Sequence, residues 1–346
     1  MKKYFICLSL LALLAGCQPT EKPKIKEKTN TSEVSVSQEA TASYISPLTG
    51  VEVDQELMNR PVAVMINNHP KARPQAGLPQ ADIVYEALAE GDITRFLAIF
   101  HSEKPAFIGP VRSARDYYID LSNGYHALYI CHGWSPEAKQ MLESGDVDHL
   151  NGLFFDGILF ERVSFRKAPH DSYISYDNIL KGAGLKGYEM EEEVEPLLFQ
   201  EKPFESEGKK AQKITISYSR GSMSEVEYVY NKKDGRYDRF TSNEKLIDYN
   251  TKQPVQMDNI LIVEMDHEIV DQQGRRDIDL TSGGKGYLIQ KGKALPVQWK
   301  NENGRIVPYR EGNPIHFIKG KTWINIVPLS PGLEHIVSIQ SNEKGV

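Results

Sequence analysis

Pro61-Val-Ala-Val-Met-Ile66 is a nearly continuous apolar run, and it decides the fold class. Such a run predicts a strand that is covered on both faces, as the strands of α/β sheets are. Shorter apolar runs of the same kind follow at 83–85, 96–100 and 127–131. Helical patterns alternate with these runs or follow them, and they begin at the capping residues Ser113, Ser135 and Ser175. We therefore expect an α/β domain over residues 46–188, with a mainly parallel or mixed sheet.

From Ala211 onward the sequence changes to short β-type runs separated by turn residues. The clearest runs lie at 213–218, 226–230, 260–263, 286–289 and 322–327. This pattern predicts an all-β module over residues 211–341 that is sandwich-like or barrel-like, which makes the chain α+β overall. The stretch 189–210 between the two regions is charged and contains two prolines, so we expect it to be a linker.

The N-terminus has the pattern of an export signal. Lys2 and Lys3 precede twelve mostly apolar residues, 4–15. Twelve helical residues span about 18 Å, which is too short for a bilayer core of about 30 Å. The run ends in Leu14-Ala-Gly-Cys17, which resembles the lipobox of bacterial lipoproteins, in which the cysteine carries acyl chains such as palmitate. We expect a signal peptide over residues 1–16, then lipidated Cys17 and a disordered tether over residues 17–45; an ordinary secretion signal is the alternative.

Composition excludes several classes of protein. The chain has 346 residues, with 41 Lys and Arg against 47 Asp and Glu, so its formal net charge is −6. This charge gives no basis for non-specific nucleic-acid binding. Three cysteines are too few for a disulfide framework. The nine histidines form neither H-x-H nor H-E-x-x-H, so the sequence predicts no metal site and no cofactor.

The most informative stretch for function is Phe107-Ile-Gly-Pro-Val-Arg-Ser-Ala-Arg-Asp116. A strand end is predicted to pass through Gly109-Pro110 into a helix that begins at Ser113, with Arg112 and Arg115 beside the helix start. A helix N-terminus with two guanidinium groups favours a pocket for phosphate or carboxylate. In the other interpretation, which the residues alone favour, both arginines pair with nearby acids, namely Glu86, Glu90, Asp92 and Asp116.

Polar residues also follow two other predicted strands. Asn67-Asn68-His69 comes after Ile66, and His132 comes after Cys131. Site residues collect at the carboxyl ends of strands in open α/β sheets, although turns also favour these residue types. Cys131 and His132 point to opposite faces of a strand, so they cannot form a catalytic dyad, and we expect Cys131 in the core.

Several longer motifs together resemble the YerB-like lipoproteins of Gram-positive bacteria, a family built around a domain of unknown function with N- and C-terminal parts. The motifs are Arg73-Pro-Gln-Ala-Gly-Leu78, Glu90-Gly-Asp-Ile-Thr-Arg95, Ile108-Gly-Pro-Val-Arg-Ser-Ala-Arg115, Arg166-Lys-Ala-Pro-His-Asp171, Gly283–Leu288 and Lys321-Thr-Trp-Ile-Asn-Ile-Val-Pro328. The resemblance implies an envelope location and a two-part architecture, but no activity and no cofactor. It also shifts the balance for Arg112 and Arg115 towards a functional role.

These observations predict a non-enzymatic, lipid-anchored protein of the cell membrane that faces the outside of a Gram-positive cell. Its α/β domain would bind an anionic cell-wall or lipid-linked ligand (a glycan or a phosphate) or a membrane protein of wall synthesis. The predicted ligand-binding residues are Asn67, Asn68, Arg95, Arg112, Arg115, His132 and His170. The alternative is an envelope hydrolase or transferase acting on a phosphodiester or glycan, with Glu86 or His132 as the general base.

Replacement of Cys17 tests the anchor. We expect Cys17→Ala to release the protein from the membrane or to leave it unprocessed, because Cys17 directly follows the short apolar segment. Membrane fractionation with a size measurement reads this out. A Cys17→Ala protein that stays in the membrane fraction at the mature size would refute the assignment.

Overall fold

The computed structural model describes residues 43–201, 208–218 and 225–341, so Cys17, the predicted signal peptide and nearly all of the predicted tether lie outside the described residues. The strands in these ranges are β1 (Tyr44–Ile45), β2 (Glu52–Val53), β3 (Val62–Asn67), β4 (Ile83–Glu90), β5 (Ile93–Phe100), β6 (Leu128–Cys131), β7 (His149–Asn151), β8 (Phe160–Arg162), β9 (Ser172–Ile174), β10 (Phe199–Gln200), β11 (Lys209–Lys210), β12 (Lys213–Ser217), β13 (Glu225–Asn231), β14 (Arg236–Thr241), β15 (Glu244–Lys245), β16 (Gln256–Met257), β17 (Asn259–Met265), β18 (His267–Ile269), β19 (Arg276–Ile278), β20 (Gly284–Gln290), β21 (Lys293–Glu302), β22 (Arg305–Arg310), β23 (Asn313–Pro314), β24 (Phe317–Ile318), β25 (Thr322–Pro328) and β26 (Val337–Gln340). The helices in the same ranges are α1 (Asp116–Asn123), α2 (Pro136–Glu143), α3 (Gly152–Phe155), α4 (Tyr176–Lys186) and α5 (Leu333–Ile336). None of these helices is both long and apolar enough to cross a membrane.

The main element is a large mixed sheet. Its strand order is β23-β22-β21-β20-β17-β25-β4-β5-β3-β6-β7, and β11 pairs with β21 beside this path. Strands β3, β6 and β7 run parallel to one another, and β5 lies antiparallel between β3 and β4. The carboxyl ends of β3, β4, β6 and β7 therefore lie along one edge of the sheet.

Strand β3 shows why the large sheet is covered on both faces. All six of its residues are buried, as its apolar run predicts. Val62, Val64 and Ile66 pack into one hydrophobic cluster, whereas Ala63 and Met65 pack into another. The second cluster contains apolar residues of α1 and α2, and the first contains residues of α4 and of a smaller sheet. Successive side chains of a strand point to opposite faces, so this alternation places one core on each face.

The smaller sheet is antiparallel, with the order β15-β14-β13-β12-β26 and β16 paired with β14. It uses only some of the C-terminal strands, because β17 and β20–β23 continue the large sheet. Strand β25 joins the two regions by pairing in parallel with both β17 and β4. The overall fold is thus mixed α/β with a separate antiparallel sheet, and the expectation of a self-contained C-terminal sandwich or barrel needs correction. Burial of apolar strands on both faces favours insertion into a shared sheet.

The stretch 189–201 is hydrogen-bonded to the rest of the fold. Arg60 N donates to Met190 O at 2.8 Å, Leu197 N donates to Pro47 O at 2.9 Å, and β10 pairs with β24. The domain limits 46–188, 189–210 and 211–341 remain a prediction, which the positions of the first cuts in limited proteolysis would test.

Two of the three predicted helix caps are confirmed. Ser135 Oγ accepts from Ala138 N at 3.2 Å, and Ser175 Oγ accepts from Asn178 N at 3.1 Å. The prediction for Ser113 is wrong, because α1 begins at Asp116 with Arg115 as its N-cap residue. Ser113 Oγ instead donates to His132 O at 3.1 Å. The serine is held by a neighbouring loop that sequence periodicity does not reveal.

Candidate functional site

The candidate site lies at the carboxyl edge of the large sheet, where the segment 108–115 crosses the ends of β3 and β6. Arg112 N donates to Met65 O at 2.9 Å, and Asn67 N donates to Pro110 O at 2.9 Å. On the other side, His132 N donates to Arg112 O at 3.0 Å. Arg112 is therefore fixed between two parallel strand ends, the position where open α/β sheets bind ligands.

Two glycines allow this close packing. Gly109 has φ of 151°, and a Cβ there would lie 2.7 Å from the Tyr173 ring. A Cβ on Gly152 would lie 2.0 Å from Nδ1 of His132, so the imidazole ring rests directly on the start of α3. Side chains at either position would displace elements that surround Arg112.

Arg95 and Arg115 form a buried ion-pair cluster with Glu90. The Nη2 atoms of both arginines donate to Oε1 of Glu90. Arg95 Nη1 also donates to Ser113 O at 2.5 Å, and Arg115 Nη1 donates to Ala114 O at 2.7 Å. Burial lowers the pKa of both arginines, and Glu90 opposes that shift. Both guanidinium groups thus hold the 113–115 backbone. The acid-pairing interpretation was made for Arg112 and Arg115, and the contact with Glu90 matches it for Arg115.

Arg112 differs from its two neighbours. Among the described residues, no carboxylate lies within 4.0 Å of its guanidinium group, and no protein atom accepts a hydrogen bond from it. The side chain is half-buried, and this burial lowers its pKa, although Glu90 raises it. A half-buried guanidinium without a protein acceptor is suited to a bidentate oxyanion.

His69 and His170 stack beside Arg112, with ring centroids 4.7 Å apart. Lys71 N donates to Nδ1 of His69 at 3.1 Å. Asn67 Oδ1 accepts from His69 N at 3.0 Å, which leaves Asn67 Nδ2 to donate to Nδ1 of His170 at 2.9 Å. Because Nδ1 is the acceptor in both rings, Nε2 carries the proton in both. Each ring therefore presents one neutral N–H donor.

His132 is fixed in the opposite tautomer. Arg162 Nη2 lies 2.8 Å from Nε2 of His132, and guanidinium groups only donate. Nε2 is therefore the acceptor, and Nδ1–H donates to Ser172 Oγ at 2.8 Å. Arg162 is itself paired with Asp156 and Asp171. The lone pair that a general base would need is thus already used.

All three histidines have lowered pKa values. Burial is the main cause in each, and the charge of Arg112 lowers the pKa of His69, His132 and His170 further. Lys71 also lowers the pKa values of His69 and His170. The imidazoles are therefore stable in the neutral form. We call the site that the half-buried side chains of His69, Arg112, His132 and His170 form the Arg112 cleft, and its formal charge resides on the basic side chains.

Asn68 and Glu86 lie below this cleft in a buried network. Glu86 accepts from Arg239 Nη2 at 3.0 and 2.8 Å, from Trp323 Nε1 at 3.1 Å and from Thr94 Oγ1 at 2.9 Å. Asn68 Nδ2 donates to Thr94 Oγ1 at 2.7 Å. The Glu86 and Arg239 side chains are both fully buried. This geometry gives Glu86 a structural contact with the smaller sheet and leaves no opening towards a substrate.

The start of α1 does not contribute an anion site. Asp116 occupies its first turn, and burial together with nearby Asp277, Glu137 and Asp120 raises the pKa of Asp116 to about 6. An acidic first turn already satisfies the partial positive charge of the helix. The sequence had suggested that a helix N-terminus and nearby arginines form an anion site together. The start of α1 does not support such a site, whereas Arg112 does.

The structure thus gathers Asn67, Arg112, His132 and His170 around one cleft, and it places Asn68, Arg95, Arg115 and Glu86 in supporting contacts. Sequence reasoning missed His69 and Arg162 as members. His69 directly follows the predicted strand 61–66, so its position gave a signal, whereas only tertiary structure brings Arg162 to His132. Cys131 is fully buried and its pKa is raised by burial, which confirms it as a core residue. In the described ranges, no group of three or more His, Cys, Asp or Glu could hold a metal ion.

Comparison with known proteins identifies the class to which this protein belongs. Residues 1–18 match the prokaryotic membrane lipoprotein lipid attachment site, so this is a lipid-anchored membrane lipoprotein. Residues 48–189 and 214–324 match the N-terminal and C-terminal domains of a protein family of unknown function (DUF3048), and the chain belongs to that family.

One related protein matches most of this chain both in sequence and in structure. A Bacillus subtilis (strain 168) protein, YerB, which is named as a lipoprotein, is 54% identical over 288 residues, covering 82% of this chain and 86% of that protein. The crystal structure of YerB from Bacillus subtilis has a TM-score of 0.80 at 52% identity and covers 86% of this chain and 99% of that one. The resemblance to the YerB-like lipoproteins is thereby confirmed.

The different environments of the two arginines predict different effects on stability. We expect Arg112→Ala to change the free energy of unfolding by about 1 kcal/mol or less, because its guanidinium has no protein partner. We expect Arg115→Ala to cost about 1.5–3 kcal/mol, because a charge-assisted bond to Glu90 is lost. Urea unfolding of the two variants measures this difference. Equal losses would show that Arg112 also serves the fold.

Proposed function

We propose that this lipoprotein is an extracytoplasmic binding protein that takes an oxyanion of a cell-wall or lipid-linked ligand into the Arg112 cleft. The observation that carries the proposal is the half-buried guanidinium of Arg112, which has no protein acceptor among the described residues. Two neutral Nε2–H donors, on His69 and His170, stand beside it. Donors without competing acceptors suit a fully ionised oxyanion.

The positive surroundings of the cleft support an anionic ligand. Lys71 and Arg73 lower the pKa of His69, and Arg166 lowers the pKa of His170, in each case after the effect of burial. Arg166 donates to backbone oxygens of Lys71, Arg73 and Pro74, so it pairs with no acid there. An anion that binds beside Arg112 would therefore lie close to several positively charged side chains.

Binding is a better account of this geometry than the alternative of a hydrolase or transferase. His132 would serve as a general base only after losing its contact with Arg162, and Glu86 is enclosed by Arg239, Trp323 and Thr94. A general base must reach the proton that it removes. Neither candidate base reaches the cleft with a lone pair available.

We infer from the lipid attachment site that the folded region acts at the outer face of the cell membrane of a Gram-positive cell. Wall glycan phosphates, lipid-linked phosphates and acidic groups of membrane-bound wall-synthesis proteins are ligands of suitable charge at that location. No nucleic acid is required by this proposal.

Titration calorimetry tests the site. Inorganic phosphate, a soluble glycerol phosphodiester, acetate and a neutral glycan oligomer serve as probes. We expect at least one of the oxyanions to bind and Arg112→Ala to weaken that binding about tenfold or more, since a charge-assisted bond contributes roughly 1.5–3 kcal/mol.

The matched control is Arg236→Ala, which removes the same charge from an exposed arginine at the start of β14 in the smaller sheet. We expect this variant to bind like the unaltered protein. Equal weakening in both variants would reduce the effect to net charge, and unchanged binding in Arg112→Ala would refute the proposed site.

A further inference from the structure

A second surface lies beside the Arg112 cleft, and we name it the apolar edge: Trp134, Leu153, Phe154 and Ile158. Leu153, Phe154 and Ile158 are 54%, 61% and 57% exposed. Trp134 is half-exposed, and its ring lies 5.6 Å from that of Phe154. In the described residues, no other six-residue window contains three exposed large hydrophobic side chains. Such concentrated exposure is typical of a contact surface.

The fold holds this apolar edge in place. Asn151 Oδ1 accepts from Gly133 N and from Leu153 N, both at 3.0 Å, which ties the Trp134 loop to the start of α3. Arg162 donates to both oxygens of Asp156 at 3.0 and 3.1 Å, which fixes the loop between Phe154 and Ile158. The hydrophobic side chains are thus presented on a braced loop at the carboxyl edge of the sheet.

We propose that the apolar edge inserts into the outer surface of the membrane that carries the lipid anchor. Trp, Phe, Leu and Ile are the residues that peripheral proteins bury at the boundary between headgroups and acyl chains. Two cations border the edge, and each is paired with a carboxylate. Lys139 Nζ lies 6.0 Å from the Trp134 ring centre and 3.7 Å from Glu143, and Arg162 pairs with Asp156 and Asp171. The proposal therefore rests on the exposed hydrophobic side chains and on the lipid anchor.

The anchor favours the membrane over other occupants. From Cys17, the cysteine of the lipid attachment site, to Ser43, the first described residue, the chain spans at most roughly 90 Å. The bilayer is therefore always within reach, and tethering gives even a weak surface a high effective concentration there.

Tryptophan fluorescence provides the test, because the chain has three tryptophans and only Trp134 is partly exposed. Trp299 and Trp323 are buried in the core. The full-length lipidated protein would be placed in phosphatidylcholine–phosphatidylglycerol vesicles whose acyl chains carry bromine, a short-range quencher. We expect a loss of tryptophan intensity relative to unbrominated vesicles, and we expect Trp134→Phe to abolish that loss.

Two variants decide the assignment. A triple variant should lose the quenching and keep its melting temperature; it carries Leu153→Ser, Phe154→Ser and Ile158→Ser. The matched control, Ile269→Ser with Val270→Ser, alters another exposed apolar pair and should keep the quenching. Quenching that is absent from the unaltered protein, or that survives the triple substitution, would overturn the proposal.

Two further readouts separate this inference from its rivals. A dimer in detergent that the triple substitution breaks would assign the apolar edge to a second copy of the chain and overturn membrane insertion. The triple variant should bind the soluble oxyanion probe like the unaltered protein, because Arg112 is untouched. The oxyanion site and the membrane contact can therefore fail independently.

Discussion

The buried ion pair between Glu86 and Arg239 is the interaction on which the other features of the fold depend. It joins the centre of β4 in the large sheet to β14 in the smaller sheet, with both side chains fully excluded from solvent. Arg239 also lies over the rings of Phe96 and Trp323, 5.1 and 4.7 Å from their centres. Removing one partner of such a pair leaves an uncompensated buried charge, at a cost of about 3–5 kcal/mol.

This ion pair also supports the candidate site. Asn68 donates to Thr94, which donates to Glu86, and Asn68 in turn accepts from Arg73 Nε at 3.1 Å and from Gln75 Nε2 at 3.1 Å. These contacts order the chain between the end of β3 and Gln75, where His69 and Asn67 lie. The tautomers of His69 and His170 thus depend on a hydrogen-bond network that reaches down to the ion pair.

Local features of the fold were predictable from the sequence, and long-range pairing was not. Apolar runs such as 61–66 and 322–327 correctly indicated strands, and Ser135 and Ser175 correctly indicated helix starts, because periodicity and capping are local properties. The parallel pairing of β4 with β25 connects residues far apart in the chain, so no local pattern reveals it. The same limit applied to Ser113, whose hydroxyl bonds to the His132 backbone. For the site, the sequence indicated the arginine-rich segment. Only the structure shows that Glu90 pairs with Arg95 and Arg115 and not with Arg112.

The central claim is that Arg112, His69 and His170 together hold an oxyanion. A crystal structure of the protein soaked with selenate, whose selenium gives an anomalous signal, tests it most directly. The account predicts an anomalous peak within hydrogen-bond distance of the Arg112 guanidinium and of Nε2 of both histidines, and no peak there in Arg112→Ala crystals. A cleft that stays empty while selenate occupies other arginines, or a peak that persists in the variant, would contradict it.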